Sequence, residues 1–188
     1  ISSRFGVSVV TGPRELASDL TPEVIVLAVK PQVMDGTVPD YARFAGIGCV
    51  YLSIAAGKTI GYFERVLGTS AAIVRAMPNT PAAVGRGITV ACANARASDA
   101  QIRLCDRLLS SVGEVAWSDD ESQLDAVTAL SGGGPAYVFL LTECLARAGT
   151  EAGLPEDLAK RLARVTVIGS GELLRQSGEE AEVLRRNV

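Results

Sequence analysis

The sequence predicts an α/β fold: a parallel, doubly wound sheet domain followed by an all-α dimerisation domain. Three observations carry that expectation. Short apolar runs alternate with helical stretches up to residue 118. No strand pattern appears from Asp119 onward. Two long helical stretches with small-residue faces then fill the rest of the chain. The sheet domain is expected over residues 1–118 and the helical domain over 119–188.

The elements follow in order. "FGVSVV" places Phe5, Val7 and Val9 at period two, a short strand. "PRELASDL" makes a brief helix that starts at Pro13, a position where proline is tolerated. "EVIVLAVKP" is a continuous apolar run closed by Lys30 and Pro31, the pattern of a strand buried on both faces. "CVYLSI", from Cys49 to Ile54, is the next strand, followed by the Gly57 break. "TIGYFERVLG" puts Ile60, Phe63 and Leu67 on one helical face and stops at Gly68. "AAIVRAM" is a third buried strand, ended by Pro78. "GITVACA" and "EVAWS" are two more. Between them "SDAQIRLCDRLLSSVG" opens on Ser98 as N-cap, with Ile102, Cys105, Leu108 and Leu109 at helical spacing.

In the second domain "DDESQLDAVTAL" is a helix with an acidic start, which suits the helix dipole. A long helix runs from Pro135 to about Ala152 and ends at Gly153. Another runs from Pro155 to about Gln176 and ends at Ser177-Gly178. Leu158, Leu162, Val165, Gly169 and Leu173 form one stripe on it, and Ala159, Ala163, Thr166 and Ser170 a narrow small-residue strip beside it. Gly169 and Gly171 each cost roughly 1 kcal/mol against Ala inside a helix, which a close helix–helix crossing offsets. Two such helices with little else to cover them predict an obligate dimer.

Composition narrows the function. The chain has 188 residues with a formal charge of −3, and its pI is near 5.1. That balance argues mildly against nucleic acid or an anionic membrane as main partner, since both favour a basic face, and neither is expected. Histidine is absent, which excludes Ser-His-Asp and Cys-His nucleophile systems and any His-ligated metal. Cys49, Cys92, Cys105 and Cys144 are widely spaced with no C-x-x-C, so no metal site or redox pair is expected. Cys49, Cys92 and Cys144 lie in apolar surroundings and read as buried thiols of a reducing, cytoplasmic compartment. No apolar run reaches transmembrane length and no cleavable signal is visible. The opening "ISSRFGVSVVTG" and the closing "EVLRRNV" both read as the interior of a domain.

Parallel sheets bind ligands beyond the carboxyl ends of their strands. Three such ends stand out. Ala28, Val29, Lys30 and Pro31 close the first buried run, where Lys30 is either a cation for a phosphate or ribose, or a solvated turn residue. Ala55, Ala56 and Gly57 close the second; they either let a flat ring lie against the backbone or form an ordinary turn. In "MPNTP", Pro78 and Pro81 stiffen the backbone around Asn79 and Thr80, which suits an amide-bearing ligand or simply a turn. A fourth candidate is "TALSGGGPAYVFLL". Pro135 suits the first helical position, so Gly134 falls at the N-cap without a side-chain cap. The first-turn N–H groups are then open to an anion, unless the glycines serve close packing. Thr128 and Ser131 offer hydroxyls one turn earlier. The dinucleotide fingerprint G-x-G-x-x-G is absent, and "SGGGP" does not replace it because it follows a helix.

With "VIVLAVKPQ", "SIAAG", "RAMPNTPAAVGRG", "DAVTALSGGGPAYVF" and "AGLP" in this order, the chain resembles the pyrroline-5-carboxylate reductase family over nearly its whole length. Gly133 stands where the family usually carries a small serine. The resemblance implies a Rossmann-like first domain, with a strand and Gly-rich loop before Ile1 and a T-S-P-G-G-T-type loop after Val188. It implies hydride transfer from NADPH or NADH to the C=N carbon of 1-pyrroline-5-carboxylate, giving L-proline. It further implies that Thr128 orients the imine nitrogen or relays a proton to it. Ala28, Val29, Lys30, Pro31, Ala56 and Asn79 would contact the cofactor. Ser131, Gly132, Gly133 and Gly134 would shape the imino-acid pocket. No metal is implied, and the partner would be a second copy in a homodimer or higher homo-oligomer. Two other readings stand beside it. A related reductase of a 3-hydroxy acid typically uses a lysine base, and "ESQLDAVTALSGGGPA" contains none. A non-catalytic dimeric cofactor-binding scaffold is the other.

Overall fold

The computed structural model of the chain describes residues 2–188; Ile1, the first residue of the expected sheet domain, lies outside the described residues. In chain order the elements are α1 (Ser2–Phe5), β1 (Val24–Leu27), α2 (Met34–Thr37), β2 (Val50–Ser53) and α3 (Ile60–Leu67). Then come β3 (Ala72–Met77), β4 (Gly87–Ala93), α4 (Asp99–Ser110), β5 (Gly113–Trp117) and α5 (Gln123–Val127). The last three are α6 (Gly134–Glu151), α7 (Glu156–Gln176) and α8 (Ala181–Arg186). The chain divides into two compact units, which meet at Gly132 and Gly133. The family-like acidic helix α5 belongs to the first, because Leu124 is fully buried in its core.

The five strands lie in chain order in one sheet. β1, β2 and β3 are parallel, with Leu27 opposite Ser53 and Ser53 opposite Arg75. β4 runs antiparallel to β3, and β5 parallel to β4. The all-parallel expectation therefore fails at one pair. Its cause is the link over residues 78–86, which holds only the 3-10 turn Thr80–Val84. A parallel crossover needs a dozen or more residues, so this link turns the chain back. The reversal also explains the layering. Crossovers are right-handed, so once strand direction flips, the next helix lands on the opposite face. α3 packs on one face with Met34, Val38 and Phe44. α4 packs on the other, where Cys105 and Leu109 meet Val50, Leu52, Ala72 and Val74.

Two expectations near the N-terminus are corrected. "FGVSVV" is not a strand: Ser2–Phe5 is a short helix, and Phe5, Val7 and Val9 are exposed. Alternation alone cannot make a strand without a partner to share its hydrogen bonds, and none pairs with it among the described residues. β1 is not buried on both faces: the cluster beneath α4 is built on β2, β3 and β4, and on β1 it leaves Val26 50% exposed. "PRELASDL" contributes a single 3-10 turn, Pro13–Glu15. The other helices form as their sequences predict. Ser98 and Gln101 make a reciprocal capping box on α4. Thr59 caps α3 by accepting from the Tyr62 N–H, and Ile60, Phe63 and Leu67 are its buried face. Cys49, Cys92 and Cys105 are buried, but Cys144 is only half-buried, on a helix with no buried residue.

In the second unit α6 and α7 form an antiparallel hairpin through a short turn. Only the first half of the small-residue strip faces inward: Ala159 and Ala163 are buried, and a Cβ on Gly149 would lie 3.1 Å from that of Ala159, while Thr166 and Ser170 are exposed. The Leu158, Leu162, Val165 and Leu173 stripe stays exposed. So do Tyr137 at 67% and Phe139 at 66% on α6. By length and composition the helical stretch Gln123–Glu151 is apolar enough to cross a membrane, contrary to expectation. The glycines and Pro135 that break the run in sequence are carried through by a π turn over Thr128–Gly132.

Candidate active site

Because β1, β2 and β3 are parallel and in register, their carboxyl ends lie on one edge of the sheet. Ala28, Val29 and Lys30 continue β1 at that edge and are exposed, and Pro31 opens a 3-10 turn. Lys30 has no ion-pair partner among the described residues. Ala56 lies in the turn after β2 and is exposed. Gly57 follows at φ +74, a left-handed conformation that glycine adopts without strain, and a Cβ there would meet nothing within 4 Å. Asn79 follows β3. Its Oδ1 accepts the Ile88 N–H at 3.0 Å, which ties the turn to β4 and leaves its amide N–H groups to donate. An open edge with little side chain, one uncommitted cation and one oriented amide fits a dinucleotide. These residues are the ones that would hold it.

A cluster that the sequence reading missed joins two of these ends. Lys58 Nζ lies 2.8 Å from Asp35 Oδ1, and the Tyr62 hydroxyl donates to the same oxygen at 2.7 Å. The ammonium also sits 4.2 Å from the Tyr62 ring centroid. The Lys58 bond, then the Tyr62 bond, holds the Asp35 carboxyl below its ordinary value. Burial, then the bond to Asp35, pushes Tyr62 up to about 12. The cluster fastens the segment after β1 to the segment after β2. "GKT" and "MDG" each look like turn residues, and nothing local in them signals the pairing.

Thr128 and Ser131 lie in the π turn, a local widening of the helix that often marks functional positions. The Thr128 hydroxyl donates to the Leu124 carbonyl at 2.7 Å, and Ser131 to that of Val127 at 3.1 Å. Both protons are thus committed to the backbone, while the oxygen lone pairs remain. Gly132 brings this turn against the end of β3: a Cβ there would lie 2.7 Å from Met77 Cε and 3.7 Å from Thr128 Cγ2. Gly133 and Gly134 continue into the second unit. The open helix start expected at Gly134 is not formed. Gly133 has helical angles, φ −83 and ψ −21, and its carbonyl accepts the Ala136 N–H, because the chain enters α6 from another helical turn.

The segment that leads into Thr128 is held by a buried charge. Arg75 is 3% exposed in the middle of β3. Its Nη1 lies 2.8 Å from Glu121 Oε1, and that oxygen also accepts the Ile60 N–H at 2.7 Å. The signal was present as the one charge in the apolar word "AAIVRAM", with acidic residues later in the chain to answer it.

The sheet edge and the apolar helical pair define a class: an α/β dinucleotide-binding domain joined to a helical dimerisation region. Residues 121–188 match the pyrroline-5-carboxylate reductase dimerisation family. The pyrroline-5-carboxylate reductase of Pseudomonas aeruginosa is 41% identical over 188 residues, which are 100% of this chain and 68% of that protein. That of a Synechocystis strain is 42% identical, over 88% of this chain and 61% of its own length. Among solved structures, a pyrroline-5-carboxylate reductase from Coxiella burnetii superposes with a TM-score of 0.88 at 34% identity, covering 98% of this chain and 68% of that one. A Plasmodium falciparum pyrroline carboxylate reductase with NADP bound gives 0.78 at 33% identity, covering 88% of this chain and 63% of that one. The chain belongs to the pyrroline-5-carboxylate reductase family. It spans roughly two thirds of the length of these relatives, between 61% and 68%.

Proposed function

We propose that the protein reduces 1-pyrroline-5-carboxylate to L-proline with NADPH or NADH, the last step of proline synthesis. The observation that carries this is the hydroxyl of Thr128, an acceptor with its own proton committed, beside the end of β3. A reduced nicotinamide supplies the hydride. The imine carbon takes that hydride, and the nitrogen, already protonated as an iminium, becomes the ring amine. The bond-making step needs no further proton, which suits a chain without histidine. Thr128 Oγ1 accepts the iminium N–H and orients the ring, so catalysis is chiefly positioning. Ala28, Val29, Lys30, Pro31 and Ala56 cradle the cofactor. Asn79 offers its amide N–H groups on the nicotinamide side. Ser131 and the backbone of Gly132, Gly133 and Gly134 shape the pocket for the imino acid.

The partner is a second copy of the chain. α6 has no buried residue, and a helix with this much exposed apolar surface calls for a covering surface. Glu143, Arg147 and Glu151 on the same helix favour a protein neighbour over lipid. The compartment is the cytoplasm, in keeping with four free cysteines, two of which, Cys49 and Cys105, burial pushes up to about 11. The test is NADPH and NADH oxidation by the full-length protein with pyrroline-5-carboxylate. Substrate-dependent oxidation with proline as product is expected; no turnover with either cofactor would sink the assignment.

A further inference from the structure

We infer that Arg75 and Glu121 are positioning residues for the Thr128 hydroxyl, a role that rests on the reading of Thr128 given above. A buried guanidinium keeps its place only with a partner. Arg75 finds it in Glu121, at 2.8 Å, and more loosely in the exposed Asp125, at 3.7 Å. Glu121 Oε1 also takes the first N–H of α3, from Ile60. One carboxylate oxygen therefore joins β3, α3 and the lead-in to α5.

Arg75 and Met77 are two residues apart on a strand, so their side chains leave the same face. Arg75 holds the chain at 121 and 125, ahead of Thr128. Met77 touches it at Gly132, behind Thr128. The π turn that carries the hydroxyl is thus bracketed by two contacts to a single strand. That strand continues directly into Pro78 and Asn79, the candidate nicotinamide side. β3 would thereby fix the spacing between a bound hydride donor and the imine nitrogen from both sides.

A double-mutant cycle in the full-length protein tests this, with Glu121→Gln and Thr128→Val made singly and together. Glu121→Gln is expected to lower kcat about tenfold, the scale of a small misplacement of reacting groups, with NADPH affinity by fluorescence held within about twofold. In the Thr128→Val background the same change is expected to alter kcat by less than about twofold, because the hydroxyl it places is gone. An equal loss in both backgrounds would overturn the inference. Amide exchange over residues 124–132 is expected to quicken in Glu121→Gln; unchanged exchange overturns the clamp whatever the activity. If the wild type shows no turnover, the proposed function falls, and exchange alone decides the clamp. If Glu121→Gln does not fold, Arg75→Lys, which keeps the charge but loses the two-pronged reach, is put through the same cycle.

Discussion

The proton of the Thr128 hydroxyl is already donated to the Leu124 carbonyl, at 2.7 Å, so the side chain has an electron pair to offer and little acidity. Thr128→Ser keeps that oxygen and is expected to hold kcat within a few fold. Thr128→Val keeps the shape without the oxygen and is expected to lower kcat by about a hundredfold, while the lost backbone bond costs about 1 kcal/mol of stability. Steady-state kinetics beside thermal unfolding separates the two effects. A second residue-scale prediction concerns Asp35. Its folded pKa lies below its ordinary value of 3.8, so its pairing stabilises above that value and is lost as pH falls through the lowered one. NMR titration of the carboxyl is expected to show the low value, and Lys58→Met to move it back up. At this scale the sequence was legible where backbone chemistry is local. Asn79 between two prolines reads as a stiff turn, and it is one, with Ile88 as its anchor. Arg75 showed as a lone charge in an apolar strand, but its pairing with Glu121 and that of Lys58 with Asp35 were not legible, because each partner lies tens of residues away and no spacing rule connects them.

Elements were legible when their own sequence satisfied their ends. α4 carries its complete capping box in "SDAQ", and it forms over Asp99–Ser110. "FGVSVV" has the right alternation but depends on a neighbour for every hydrogen bond, and it is not a strand. The direction of β4 was hidden because it depends on the length of a link, while the apolar pattern looked toward burial alone. On α7 the narrow strip, expected to pack in a dimer bundle, is covered within the chain at Ala159 and Ala163, where Gly149 of α6 meets it, while Thr166 and Ser170 stay exposed. Ala163→Leu is therefore expected to overfill that contact and cost about 1–3 kcal/mol, measured by urea unfolding. Gly169→Ala, where a Cβ would meet nothing within 4 Å, is expected to stabilise the same helix by up to about 1 kcal/mol in the same measurement.

Across the whole molecule, burial is unevenly shared. The sheet unit hides two apolar clusters, one on each face. The helical unit buries only Ala159 and Ala163 among its described residues. The difference would be made up by the second copy proposed above, seated on α6. Phe139→Asp is expected to shift the full-length protein from dimer or higher assembly to monomer in analytical ultracentrifugation; an unchanged mass would place the covering surface elsewhere. The expectation of a partner rested on the small-residue faces, but α6 meets those at Ala159, and the surface left uncovered is the stripe of Leu158, Leu162, Val165 and Leu173 with Tyr137 and Phe139. Which face a partner covers was not readable, because sequence periodicity shows a stripe without showing what already lies on it.

The reversed strand β4 has one more consequence, for anyone who would alter this protein. Its start, not its end, sits beside the last residues of β3, with Val90 opposite Met77. The sheet therefore gathers residues 28–31, 56–57 and 78–86, the candidate cofactor residues among them, on one rim, and residues 68–71 and 94–98 on the far rim. The far rim has its own fabric, with Asn94 bonded to Ile73, Glu64 and Ala71, and Arg96 to Thr69. A short insertion after Arg96 is therefore expected to lower the melting temperature of the full-length protein while leaving kcat within a few fold, whereas the same insertion after Ala56 is expected to abolish turnover.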